Sequence, residues 1–257
     1  MNRFILPALC CIMLLSCKKE NTSPVPIENS HQLLSKIIKT TDFGGGTYAV
    51  EYQFNSAGKI IKEDNKTYER DAQQRILRVE IANTVLNGIP IEGYEMKVYY
   101  SSTNPHQVAY TRWGTDSTAY IHDDNGRLIK TMSYMLSDPN NGMPDATSLS
   151  EYYILVYDAA GNLVTADRFV INYDGKTTHC SHNEFGRYDN SINPLYSGDE
   201  VRVVEHACQG MLNSSKNNFT SGNGYTKMYE YRGDGRPRNC VIQQDGRNVS
   251  KLVFEYD

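Results

Sequence analysis

The chain has 257 residues, with 26 basic side chains against 30 acidic ones and a net charge of -4. That balance leaves no basic stripe and excludes an ordinary nucleic-acid binder. Apolar residues make up 39%, too many for a disordered chain, and the length suits one large all-β domain better than two small ones.

The chain opens MNRFILPALCCIMLLSCKKE. Arg3 supplies a basic start, and Phe4 to Leu15 form an apolar run too short to span a bilayer. Leu14-Leu15-Ser16-Cys17 resembles the bacterial lipobox: an aliphatic, a tolerant position, a small residue and the acylated cysteine. The resemblance implies that residues 1–16 are a lipoprotein signal peptide and that Cys17 carries the lipid. A plain secretory signal is the alternative. Several acyl chains hold a protein on a membrane durably where one is marginal, so the expected partner is the membrane, through Cys17. The expected location is the cell envelope, as an outer-membrane lipoprotein facing the periplasm or the cell surface. Residues 17–30 then read as lipidated cysteine and tether. The thirteen residues KKENTSPVPIENS are polar and hold two prolines, and reach about 40 Å when extended. With Glu20 as its acid, this segment resembles in part the signal that sends some Bacteroidetes lipoproteins to the cell surface.

Residues 31–257 read as a single all-β domain. Leu33, Leu34, Ile37 and Ile38 suit a helix face or a first strand, the latter paired across Gly44-Gly45-Gly46. Val50, Tyr52 and Phe54 fall on one face with Ala49, Glu51 and Gln53 on the other; Met96, Val98 and Tyr100 share a face opposite Glu95 and Lys97, and Leu252, Phe254 and Tyr256 share a face. Period two with one apolar face means antiparallel strands. About fourteen strands are expected on this pattern. They lie near 34–41, 47–54, 59–66, 75–83, 91–100, 107–113, 117–123, 127–135, 150–157, 163–172, 200–206, 225–232, 238–244 and 249–256. Segments 136–149 and 209–224 read as loops. The 19 tyrosines, against 7 phenylalanines and one tryptophan, suit half-buried strands.

A unit recurs between strands. Phe54-Asn55-Ser56-Ala57-Gly58-Lys59-Ile60 is one, and Tyr157-Asp158-Ala159-Ala160-Gly161-Asn162-Leu163 is the cleanest. Others begin at Arg70, His122 and Tyr231, with Gln74 where the second would have glycine. An aromatic ends a strand, Asp or Asn caps the turn, glycine takes positive φ, and an aliphatic begins the return. Asp-Gly at 174–175, 234–235 and 245–246 are further hairpin signals.

The Y-D-x-x-G-x-L pattern resembles the YD repeat of Rhs-type proteins. With the lipobox and the tyrosine-rich meander, residues 30–257 resemble Bacteroidetes lipoproteins that carry a domain of unknown function with a porin-like fold. That resemblance implies an up-and-down antiparallel barrel, closed or nearly closed, and no assigned activity. The strands carry three or four apolar positions on a face, whereas spanning strands need about 9–11 residues. The barrel is therefore expected in water rather than across the membrane.

Six cysteines include Cys10 and Cys11, which leave with the signal, and Cys17. Cys180, Cys208 and Cys240 remain, so at most one internal disulfide forms. His179-Cys180-Ser181-His182 and His206-Ala207-Cys208 could supply zinc ligands if adjacent, with Cys180 and His182 sharing a strand face. Their spacing is not that of a zinc knuckle. Solvent-facing histidines with a Cys180–Cys208 disulfide, or free thiols, are the expectation, and no metal or cofactor is expected. Asp123-Asp124-Asn125-Gly126 reads as a hairpin and not a calcium loop. Trp113 reads as core, with sugar stacking beside the Gly114 turn as the alternative. No Gly-x-Ser-x-Gly or His-Glu-x-x-His motif occurs, and no catalytic residue is assigned. The sequence thus points to a lipid-anchored, non-catalytic envelope module that binds a glycan or an envelope protein, or is structural. The alternative is a glycan hydrolase with a carboxylate pair about 5–10 Å apart.

Overall fold

The computed structural model describes residues 33–43, 46–86, 89–136, 147–172, 174–196 and 215–257. The predicted signal, Cys17, the predicted tether, Gly44-Gly45, His206, Cys208 and the predicted strand at 200–206 lie outside them. Nineteen strands follow in order: β1 (Leu34–Phe43), β2 (Gly46–Phe54), β3 (Ile60–Glu63), β4 (Lys66–Arg70), β5 (Ile76–Ile81), β6 (Thr84–Leu86), β7 (Ile89–Ile91), β8 (Tyr94–Tyr100), β9 (Val108–Trp113) and β10 (Asp116–His122). Then come β11 (Leu128–Leu136), β12 (Thr147–Tyr157), β13 (Leu163–Ile171), β14 (Thr177–Glu184), β15 (Arg187–Ile192), β16 (Asn217–Gly222), β17 (Tyr225–Tyr231), β18 (Pro237–Gln244) and β19 (Arg247–Tyr256). No helix occurs among the described residues.

The all-β antiparallel meander is as expected, but two details differ. Among the described residues the strand count is nineteen and not about fourteen, with seventeen in one sheet and β6–β7 a separate hairpin. The segment read as one strand at 59–66 turns back at Asp64-Asn65. The segment 177–192, read as no strand, forms β14 and β15, and Asn217–Gly222 inside the predicted loop forms β16. These lack the apolar alternation that betrays a half-buried strand: β14 is exposed at most of its positions.

The second difference is closure. β1 pairs with both β2 and β19, so the ends of the meander meet. No register joins β14 to β15, however, and hydrogen bonding does not complete the ring. The backbone bridges the interval at Phe185-Gly186. The Phe185 amide donates to Val164 O at 2.8 Å on the β13 side, and the Gly186 amide to Ser221 O at 3.2 Å on the β16 side.

Five turns on one rim share a geometry: 55–59, 71–75, 123–127, 158–162 and 232–236. In each, the first N–H donates to the fifth carbonyl and the fourth N–H to the first carbonyl, as in Asp123 N to Arg127 O and Gly126 N to Asp123 O, both 2.9 Å. The side-chain oxygen of Asn55, Asp71, Asp123 or Asp158 also accepts from the fifth amide. Burial works to raise the Asp71 and Asp123 carboxyls. The amides and guanidiniums of Arg75 and Arg127 outweigh it and hold both below the usual range. Each arginine also reaches the next turn. Arg75 donates to Pro105 O at 3.0 Å and lies over the Tyr100 ring, while Arg127 lies over Tyr157.

Just past each turn the register slips by one residue, at Ile61, Leu77, Ile129, Val164 and Arg238. A bulge of this kind re-aims its neighbours. Here it turns the aliphatic that follows the turn inward. Ile60, Ile76, Leu128 and Leu163 are all buried, with Ile76 and Leu163 at 0% exposure. They join Ile37, Tyr52, Tyr68, Val79, Met96, Phe219 and Phe254 in one hydrophobic core.

Gln74 shows how the repeat tolerates a missing glycine. It takes φ +64°, a conformation costing a non-glycine residue about 1–2 kcal/mol. Its Oε1 in turn accepts from Asn55 Nδ2 of the preceding turn at 2.7 Å. Gln74→Ala keeps the strain and loses the bond, so it should destabilise by about 1 kcal/mol. Gln74→Gly loses the bond but relieves the strain and should stay within about 0.5 kcal/mol of the parent. Urea unfolding of both variants checks this; equal losses would refute the trade.

Candidate functional site

The notable surface is the outer face of β8 to β14. In antiparallel pairs, directly opposed residues share a face. Tyr99 opposes Tyr110, Tyr110 opposes Ala119, and Ala119 opposes Met132. Met132 then opposes Tyr152, Tyr152 opposes Phe169, and Phe169 opposes His179. One row thus crosses seven strands, about 29 Å at the usual strand spacing. Its rings stack: Tyr99 on Tyr110 at 4.3 Å, and Tyr152 on Phe169 and Phe169 on His179 at 4.8 Å each. Lys130 Nζ lies 4.7 Å above the Tyr152 ring. None of these residues is buried, and Tyr110 is 41% exposed.

The rows on either side are mixed. One holds Glu69, Arg78, Lys97 and Arg112 in register. Arg78 bridges Glu69 at 2.6 Å and Glu95 at 2.8 Å, and its bond to Glu95 pulls that carboxyl down. Glu69, Arg78, Glu95, Lys97 and Tyr99 line a shallow, open depression beside the row. The other holds Ile121, Lys130, Ile154, Asp167 and His182. The rings thus form a single row, flanked by rows that mix charged with aliphatic side chains. Among the described residues no helix is long and apolar enough to cross a membrane.

At the β14 end of the row, histidines gather. Asp167 Oδ1 lies 2.8 Å from His179 Nε2 and 2.7 Å from His182 Nδ1. His182 Nε2 faces Glu184 Oε1 at 3.3 Å. Hydrogen bonds from His182 chiefly, and from His179, hold Asp167 low, and Asp167 and Glu184 raise His182 in return.

This corrects the expected pairing of Cys180 with His182. The register passes from Arg168↔Ser181 to Phe169↔His179, so Cys180 is the extra residue of a bulge. The slip brings His179, and not Cys180, onto the face of His182. Cys180 is a free, exposed thiol whose Sγ lies 3.6 Å from Thr178 O; the proposed partners His206 and Cys208 are outside the described residues. Cys240 is buried, which pushes its thiol up to about 11. Trp113 packs half-buried against the core, as its first reading expected. Asp123-Asp124-Asn125-Gly126 forms a five-residue hairpin turn.

The aromatic row has no motif in sequence. Its successive members lie 9 to 20 residues apart, and only the pairing register aligns them. The tyrosine excess was the one available signal.

No family model matches the chain, and no curated protein matches it. Among solved structures, a porin-like protein from Bacteroides vulgatus ATCC 8482 superposes with a TM-score of 0.53 at 12% identity, over 88% of this chain and 99% of that one. The chain has a porin-like fold. A second porin-like protein, from Bacteroides uniformis ATCC 8492, gives 0.38 at 12% identity over 87% and 98%. The Photorhabdus luminescens Tc holotoxin pore gives 0.30 at 11% over 83% of this chain and 11% of that one. The first likeness carries the fold; at these identities none carries a function.

Proposed function

We propose that this chain is a lipid-anchored protein of the cell envelope, fixed through Cys17, that holds a linear glycan without transforming it. The observation that carries the reading is the row from Tyr99 to His179, exposed at Tyr110 and His179 and half-buried between and beside them. Because the rings stack on one another across the strands, the row meets solvent as an apolar ridge along which the C–H surfaces of sugars can pack, and the charged rows beside it offer partners to hydroxyl groups. A row one residue high and roughly 30 Å long suits a chain of sugars better than a compact ligand. The charged flanks favour placing this face in water.

The hydrolase reading has less support. It needs one carboxyl held above its usual range. Each described Asp or Glu with a resolved shift moves downward, as Glu95 and Asp167 do.

Native affinity electrophoresis through gels containing soluble β-1,4-glucan, α-1,4-glucan or chitosan tests the proposal. At least one polymer should retard the protein. Tyr110→Ala with Tyr152→Ala should weaken that retention by about tenfold or more. Unchanged retention in the double variant, or none with any polymer, would overturn the reading, the latter favouring a protein partner.

A further inference from the structure

We propose that Asp167, His179 and His182 form a site for a borderline divalent transition ion of the zinc class. The inference stands apart from glycan binding and rests on the local geometry. Three donor atoms, one from each residue, lie within 4.8 Å of one another. Zinc takes imidazole nitrogen and carboxylate oxygen at about 2.0–2.2 Å, which in tetrahedral geometry places neighbouring donors about 3.3–3.6 Å apart. The two contacts to Asp167 Oδ1, 2.8 and 2.7 Å, need only a small opening to admit an ion.

The surroundings are built as a metal site requires. A ligating histidine usually gives its second N–H to a carboxylate, which fixes the ring and its tautomer. His182 directs Nδ1 at the cluster and Nε2 at Glu184. The His179 ring is set by stacking on Phe169, with Nε2 directed at the cluster. The bulge at Cys180 places both rings on one face. Two nitrogens and one oxygen favour zinc, copper or nickel over calcium and magnesium, which prefer oxygen alone. The histidines are 47% and 45% exposed. A bound ion would therefore keep positions open to water or a ligand, beside the end of the aromatic row.

The test uses the full-length protein in detergent, without an oligohistidine tag and stripped by chelator. Calorimetric titration with zinc chloride should show one ion per chain, with a dissociation constant of about 1 μM or tighter. Magnesium at the same concentrations should give no heat. His179→Ala with His182→Ala should abolish that binding, Glu184→Gln should weaken it by about tenfold, and His106→Ala should leave it unchanged. Cobalt added to the parent protein should give a visible spectrum of nitrogen and oxygen ligation, a reading that does not depend on any variant folding. Absence of zinc binding to the parent, binding undiminished in the double histidine variant, or a cobalt spectrum showing thiolate ligation would overturn the proposal.

Discussion

Leu163→Ala is expected to lower the unfolding free energy by about 2–5 kcal/mol, whereas Val164→Ala, one residue on, should change it by less than about 0.5 kcal/mol. The two side chains are both aliphatic, and each stands in the first turn-proximal part of β13. What separates them is the bulge at Val164, which leaves Leu163 at 0% exposure and Val164 at 36%. Removing a buried Leu side chain costs its transfer free energy and the cavity it leaves. The surroundings of Leu163 have little freedom to collapse. Its N–H donates to Ser215 Oγ at 3.0 Å, its carbonyl accepts from Tyr188 Oη at 2.6 Å, and Ser215 Oγ donates to Tyr188 Oη at 3.1 Å. Urea unfolding followed by circular dichroism measures both variants. Equal losses would mean that the bulge does not sort the two residues as described.

That contrast also marks what the sequence could convey. The turn chemistry was legible because it is local. An Asp or Asn, a glycine three residues on and an aliphatic two residues later specify a five-residue turn without distant contacts. The inward faces of β2, β8 and β19 were legible for a similar reason: Tyr52, Met96, Val98, Leu252 and Phe254 recur at period two and are buried as that period requires.

Features set by long-range register were not legible. The meeting of β1 with β19 joins Ile37 to Phe254, and no local signal announces it. The polar strand β14 hides from a periodicity reading because its exposed face and its bulge both erase the alternation. The bulge had a further effect on the candidate site. Strict period two put Cys180 beside His182, while one extra residue put His179 there and gave Asp167 two imidazoles to face. The aromatic row follows the same rule, since its seven members come from seven strands and align only through pairing.

Gly222→Ala should destabilise the protein by about 1–3 kcal/mol, against Gly233→Ala, which should lie within about 0.5 kcal/mol of the parent. A Cβ on Gly222 would meet Gly186 N at 2.7 Å, Glu184 O at 2.8 Å and Phe185 Cα at 3.1 Å, all backbone atoms, whereas one on Gly233 would meet nothing within 4 Å. Gly222 also takes φ +155°, so an added side chain is strained as well as crowded. The position matters because Glu184, Phe185 and Gly186 form the interval between β14 and β15 where hydrogen bonding leaves the ring incomplete. There the close approach of β16 stands in for a ladder, with Asn223 Nδ2 donating to Asn183 Oδ1 at 2.8 Å just beyond it. Added bulk at Gly222 must push β16 away from that interval, weakening the Gly186 to Ser221 bond. Amide hydrogen exchange should then quicken at Gly186 in the variant while the amides of β18, paired on both sides, keep their protection. Unchanged exchange at Gly186, with the two glycine variants equally stable, would show that β16 does not hold the junction together.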